Sequence, residues 1–245
     1  QAKIFNIADS CCILGDMDIE VDKKKFWMRL ALRAARRGWG NTNPNPMVGA
    51  VVVKNGRLAG IGYHEFAGGP HAEVNALRAA GKLAKNADLY VIMEPCCTYG
   101  RTPPCTKAII DAGIKRVIIG AIDDNPKHAG RGIEILESAG IQVEVGMLEE
   151  ECRKLNQEFF WWIKTGSPYV ILKMAQSLDG KIALANGDSK WISSPASRNI
   201  VQKLRKRADL IMVGGETVRQ DNPTLLVKKS GWKRQPDVCV WTSRS

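Results

Sequence analysis

Three histidines and seven cysteines occur in 245 residues, and the most suggestive of them fall in two short stretches. Pro70-His71-Ala72-Glu73 puts an imidazole two residues ahead of a carboxylate. Glu94-Pro95-Cys96-Cys97 is followed by Thr102-Pro103-Pro104-Cys105, so eight residues separate Cys96 from Cys105. One imidazole nitrogen and two sulfurs are donors suited to a catalytic zinc ion, which keeps a fourth position for water. Zinc lowers the pKa of that water to about 7, and the chemistry then needs a carboxylate that moves protons without binding the metal. His71, Cys96 and Cys105 are expected to be the ligands and Glu73 the proton carrier. Cys97 is a second thiol at the same place. Pro95 directly before Cys96 favours Cys96 as the ligand and Cys97 as a passive neighbour. His64 and His128 read as non-ligands, and Cys11, Cys12, Cys152 and Cys239 lie outside the pattern.

The order of these residues fits the zinc-deaminase pattern of a His ligand, a non-ligand Glu and cysteine ligands. Glu73 would take a proton from water, let the oxygen attack an amidine-like ring carbon, and pass the proton to departing ammonia. The elements that must position these groups can be read from periodicity. Phe26, Leu30 and Ala34, with Trp27, Ala31 and Ala35, predict a helix over 22–37, closed by Gly38. Two apolar runs flanking Asn55-Gly56 predict a hairpin. A helix at 71–80, a strand at 89–93, a helix after Pro103-Pro104 and a strand at 115–121 follow. A helix at 131–139, a strand at 141–145 and one long helix at 149–164 complete this part. Proline is tolerated in a helix's first turn, so Pro70 and Pro103-Pro104 place His71 and Cys105 at helix starts. Strands alternating with helices predict an α/β sandwich with a largely parallel sheet behind its opening hairpin. Lys164–Pro168 reads as a linker. Beyond it, YVILKMAQ and ADLIMVGG read as strands around a helix near 195–207.

Composition bounds the partners. A hydrophobic content of 44% with 25% charged residues is that of a globular protein. No run of about eighteen apolar residues is present, nor a basic, apolar, small-residue leader. No membrane span is expected, and a cytoplasmic location with reduced thiols is. The net charge of +11 suits an anionic partner, whether nucleic acid, a phosphorylated small substrate or NADPH, and it also serves solubility. No block of five or six Lys/Arg occurs, so nucleic-acid binding gains no specific support.

NPNPMVGAVVVKNGRLAGIGYHEFAGGPHAE and EPCCTYGRTPPC resemble the deaminase half of the bifunctional riboflavin-biosynthesis pyrimidine deaminase/reductase family. KMAQSLDGKIA, GDSKWISS and ADLIMVGGETVRQDNPTL resemble the front of its reductase half. The long Cys-to-Cys loop with GRTPPC resembles this family rather than its cytidine- or tRNA-adenosine-deaminase cousins, which keep Pro-Cys-x-x-Cys. The resemblance covers about residues 22–228. It implies a cytidine-deaminase-like three-layer α/β/α domain over 21–164. The N-terminal part of a dihydrofolate-reductase-like α/β domain would follow over 168–245. That second domain reads as truncated, which puts its hydride transfer in doubt. Residues 1–20, whose FNIADSCCILG resembles the last-helix motif of lipoprotein signal peptidase, read as a stub without function.

The resemblance further implies zinc-dependent deamination of 2,5-diamino-6-(5-phosphoribosylamino)pyrimidin-4-one and NADPH-dependent reduction of its ribosyl chain. Asn45 would contact the pyrimidine substrate, although it could equally be a turn residue between prolines. Ala175, Trp191, Thr217 and Asp221 would lie near NADPH, and Ser189, Arg205, Leu225 and Lys228 near the reductase substrate. From the residues alone, Gly214-Gly215 reads more readily as a plain turn than as an approach to a nucleotide phosphate, and Arg205-Lys206-Arg207 as a solvated face rather than a phosphate site. Thr98 stands where many members carry histidine, and Lys228 where arginine is common. A homo-oligomer is expected. Two rival readings are a nucleic-acid deaminase of the same fold and a non-catalytic relic in which Cys97 supplies a fourth zinc ligand.

Overall fold

The computed structural model describes residues 7–100, 102–126, 128–228, 232 and 234–243, with side-chain detail from residue 20 onward. Two compact units divide the chain, Gln1–Tyr169 and Val170–Ser245. In the first, helix α1 (Ile7–Ala35) leads through a 3-10 turn and an irregular loop to strands β1 (Gly49–Lys54) and β2 (Arg57–Tyr63). Asn55 and Gly56 join them at φ values of 51° and 71°, the positive φ that a tight hairpin turn of this kind demands. Helix α2 (Ala72–Ala80), β3 (Asp88–Met93), α3 (Cys105–Asp111), β4 (Arg116–Ala121), α4 (Arg131–Ser138) and β5 (Gln142–Val145) follow. Helices α5 (Glu149–Leu155) and α6 (Gln157–Thr165) close the unit.

The sheet runs β2-β1-β3-β4-β5. β1 runs antiparallel to both of its neighbours, β2 and β3, and β3, β4 and β5 are parallel. Because successive strand residues point to opposite faces, the sheet feeds two cores. Ala50, Val52, Leu89, Val91, Val117 and Ile119 pack with residues of α2, α3 and α4. Val51, Val53, Tyr90, Ile92 and Ile118 pack with residues of α1, α5 and α6 on the other side. The result is the three-layer α/β/α arrangement expected.

Two features fix where the layers sit. Helix α2 lies directly on β2: a side chain at Gly60 would run into the backbone of Ala76 and Ala80, and one at Gly62 into that of Ala72 and Ala76. The bare strand therefore sets the height of the helix that begins beside His71. At the rim where the parallel strands begin, Arg116 bonds Asp88 at 2.7 Å and Glu144 at 3.3 Å, and Lys24 of α1 reaches Glu144 at 2.7 Å. These half-buried charges belt three strands and one helix together.

Two expectations need correction in this unit. The helix expected from Asp22 begins at Ile7, because 7–35 contains no proline and only one glycine to interrupt it. Residues 1–6 lie outside the described residues. The single helix expected over 149–164 is broken at Asn156, which adopts φ −117° and ψ 30°. Its buried amide is committed elsewhere: Oδ1 accepts Met47 N–H at 2.8 Å and Nδ2 donates to Met47 C=O at 2.8 Å. This clip mimics a strand partner for the residue just ahead of β1.

In the second unit, helix α7 (Pro195–Arg207) is capped by Ser194, whose Oγ accepts Ser197 N–H at 3.2 Å. Strand β6 (Leu210–Gly214), helix α8 (Gly215–Asp221) and strand β7 (Asp237–Trp241) follow, with β6 and β7 parallel. YVILKMAQ is no strand here. Its apolar residues are mostly exposed, and among the described residues it forms no ladder, the pairing that defines a strand. No helix among the described residues is long and apolar enough to cross a membrane.

Candidate zinc centre

His71 immediately precedes α2, in an extended conformation at φ −74° and ψ 164°. Glu73 occupies the first turn of that helix and is buried, with 3% exposure. Cys96 lies in the loop that leaves the C-terminal end of β3, and Cys105, fully buried, begins α3. Three segments thus deliver their donors to one point. His71 Nδ1 is 3.2 Å from Cys105 Sγ and 3.5 Å from Cys96 Sγ. All three donor atoms lie within 4.8 Å of one another. The backbone N–H of Cys105 donates to Cys96 Sγ at 3.3 Å, and Thr106 N–H to the Cys96 carbonyl at 3.2 Å. These bonds tie the start of α3 to the β3 loop.

The electrostatics follow from crowding. The hydrogen bond from Cys105 is the main reason Cys96 is pushed down to about 4, with His71 helping. Cys105 rises well above the ordinary thiol value for the same reason, and burial adds to the rise. The Cys96 contact raises His71. Burial is the chief cause that lifts Glu73 to about 7, and the neighbouring Cys96 charge adds to it. A carboxyl poised there can both take and give a proton near neutrality.

The surroundings hold residues that sequence reasoning passed over. His64, 2% exposed, faces the Pro70 carbonyl through Nδ1 at 3.1 Å and the Asn45 Nδ2 amide through Nε2 at 3.2 Å. A carbonyl can only accept, so Nδ1 carries the proton and Nε2 accepts from Asn45. Burial lowers the His64 pKa and keeps the ring neutral. Asn45 is thereby linked to the residue before His71. Glu94 is also buried, and its carboxylate accepts N–H bonds from Asp123, Gly130 and Gly132 at 2.9–3.3 Å. It anchors the 123–132 loop to the Pro95-Cys96 turn. A glutamate directly ahead of Pro-Cys was the available signal. Cys97 Sγ turns to His128 Nδ1 at 3.6 Å and is not in the three-donor group.

Residues 21–121 match the cytidine and deoxycytidylate deaminase zinc-binding region, and residues 168–245 match the RibD C-terminal domain. Over 217 residues the chain is 53% identical to the riboflavin biosynthesis protein RibD of Aquifex aeolicus, which covers 89% of this chain and 60% of that protein. The Escherichia coli K12 protein of the same name is 48% identical over 206 residues, 84% of this chain and 56% of that one. A solved structure of Acinetobacter baumannii RibD aligns at a TM-score of 0.84 and 45% identity, over 91% of this chain and 64% of that one. The chain is similar to RibD proteins over most of its length. It spans about 60% or less of the length of these curated RibD relatives. Its first unit is cytidine-deaminase-like, and its second unit resembles the C-terminal, reductase-like part of RibD proteins.

In that RibD-type second unit the expected residues are only partly gathered. Ser189 Oγ donates to Asp221 Oδ1 at 3.5 Å. Arg205 donates to the Leu226 carbonyl at 3.1 Å, and Lys228 N–H to Gln202 Oε1 at 2.8 Å, so α7 holds the 225–228 segment. Leu225 is buried at φ 53°. Trp191 is exposed and lies under the Arg198 guanidinium at 4.3 Å. Ala175 is half-buried in the irregular 170–194 stretch, and Thr217 is exposed on α8. Among the described residues, no side-chain hydrogen bond or ring contact links Ala175 or Thr217 to the others. In the first unit, Thr98 is exposed on the Cys96–Cys105 loop.

Proposed function

We propose that this chain catalyses the zinc-dependent hydrolytic deamination of 2,5-diamino-6-(5-phosphoribosylamino)pyrimidin-4-one. His71, Cys96 and Cys105 are the metal ligands, Glu73 the proton carrier and Asn45 a substrate contact. One observation carries the reading. Tetrahedral zinc with Zn–N near 2.0–2.1 Å and Zn–S near 2.3 Å separates nitrogen from sulfur by about 3.6 Å, and Nδ1 lies 3.5 and 3.2 Å from the two sulfurs. The donor set fits the ion. When bound, zinc supplies a Lewis acid that acidifies a water molecule. Glu73 accepts a proton from the attacking water and returns it to the leaving amino group, so one C–N bond breaks, one carbonyl forms and ammonia departs. Burial of Glu73 keeps bulk water from trading that proton away. His64 holds the Asn45 amide in one orientation.

The division proposed is a deaminase domain over 21–164 and reductase-type sequence over 168–245. In the latter, Ala175, Trp191, Thr217 and Asp221 would serve NADPH, and Ser189, Arg205, Leu225 and Lys228 the substrate. The RibD C-terminal match and the Ser189–Asp221 contact support this assignment. A net charge of +11 without a Lys/Arg block suits a phosphorylated small molecule and a cytoplasmic enzyme. The edge position of β2 and exposed Leu58 and Phe26 support a homo-oligomer. The nucleic-acid alternative is not favoured by the RibD matches, and the Cys97–His128 contact speaks against a fourth thiolate ligand.

Ammonia release from the diaminopyrimidinone ribotide, with cytidine and adenosine as competitors, tests the reading. Glu73→Ala should keep zinc and lose turnover, whereas Cys105→Ser should lose the metal. Near-normal turnover by Glu73→Ala would sink the mechanism.

A further inference from the structure

We infer that Thr102 is a positioning residue for His71: its hydroxyl accepts the imidazole Nε2–H and holds the ring with Nδ1 toward the metal. The inference rests on the zinc reading above and adds a residue to it. Thr102 Oγ1 lies 3.5 Å from His71 Nε2. On the other side of the same ring, Nδ1 faces Cys96 and Cys105 Sγ at 3.5 and 3.2 Å. A nitrogen that gives its lone pair to a cation between those sulfurs carries no proton, so the proton of the neutral ring resides on Nε2. The threonine oxygen is then the acceptor. Metal-bound imidazoles are ordinarily oriented by such a partner on the second nitrogen.

The chain around Thr102 is stiff enough for the task. Pro103 and Pro104 follow it, and a residue before proline is confined to extended backbone. Pro104 itself is extended, at φ −61° and ψ 138°. Thr102 O also accepts Gly100 N–H at 3.2 Å, which closes the loop upon itself. Thr102 and Cys105 are therefore mounted at the two ends of a proline spacer. From there they grip the two nitrogens of one ring, a hydroxyl on Nε2 and a thiol on Nδ1. The length of the Cys96–Cys105 loop acquires a use that a two-residue spacing could not serve.

The test compares Thr102→Val, which keeps the shape and drops the oxygen, with Thr102→Ser, which keeps the oxygen. Zinc affinity of the full chain is measured by competition with a chromophoric chelator, and the cobalt-substituted proteins are compared by absorption. Thr102→Val should weaken zinc about 10- to 100-fold, the usual effect of removing such a partner, while Thr102→Ser stays within about threefold of the parent. Metal-free melting temperatures should match across the three proteins. Parent-like zinc affinity in Thr102→Val overturns the inference, as does equal weakening in both variants, which would mark packing rather than the hydroxyl. A parent chain that takes up no zinc removes the metal reading itself, and the inference with it.

Discussion

Replacing Asn156 should reveal how the first unit is closed. Asn156 is 3% exposed and Met47 5%, so neither the amide nor the Met47 backbone can turn to water for a partner. Both Met47 backbone groups are bonded to the amide at 2.8 Å. Asn156→Ala leaves a buried N–H and a buried C=O alone, at about 1–3 kcal/mol each. Asn156 lies outside helical backbone, so helix propensity offsets nothing and the two groups together give a loss of about 2–6 kcal/mol. Urea unfolding gives the total, and native-state hydrogen exchange at the Met47 amide reports the bond itself. Asn156→Asp is a useful companion: a carboxylate still accepts from Met47 N–H but cannot donate to the Met47 carbonyl. It should recover only part of the loss above the carboxyl's pKa. A loss below about 0.5 kcal/mol with Met47 still protected would refute the reasoning.

The remaining predictions concern the helix seat and alkaline pH. Gly62→Ala sets a methyl against the Ala72 carbonyl and the Ala76 amide nitrogen, and such overpacking costs about 1–3 kcal/mol. Because α2 begins beside His71, zinc affinity measured by chelator competition should fall as well, and an unchanged affinity would separate the seat from the site. Burial raises Tyr90 from 10.0 and Cys152 from 9.0, each to about 12. Both groups are acids held neutral by the fold, so the unfolded chain gives up these protons first. Their contribution to stability is flat below about pH 9 and falls between about pH 9 and pH 12. Tyr90→Phe should move the alkaline unfolding midpoint upward by circular dichroism, and a midpoint that stays put would contradict the burial of that hydroxyl.

The sequence carried the site more plainly than the scaffold. His71, Glu73, Cys96 and Cys105 are chemically unusual residues at fixed offsets, and the structure brings their side chains to one place. Period-two and helical patterns foretold the hairpin, the three remaining strands of the first sheet and helices α2, α3, α4 and α7. Asn156 escaped because nothing in a helical stretch signals that one amide is engaged by a residue 109 positions away. Glu94 escaped for a similar reason, since it acts through backbone groups that every residue possesses, and the contacts of His64 to the Pro70 carbonyl and the Asn45 amide likewise leave no mark in residue type. YVILKMAQ failed in the opposite sense. Its composition is that of a strand, yet strand formation depends on a neighbour that composition does not name. Ala175 and Thr217 came only from resemblance, and a contact between such residues cannot be inferred from spacing.

The Arg116 belt and the metal loop occupy opposite rims of the same sheet. Asp88 and Arg116 open their strands, whereas Cys96 and the Glu94-anchored loop follow where β3 and β4 finish. Cohesion and chemistry are therefore quarantined from each other by the length of a strand. The loops at the metal-site rim can change in sequence without touching the charges that fasten the strands. High ionic strength, in turn, will slacken the fastening before it disturbs the thiolates.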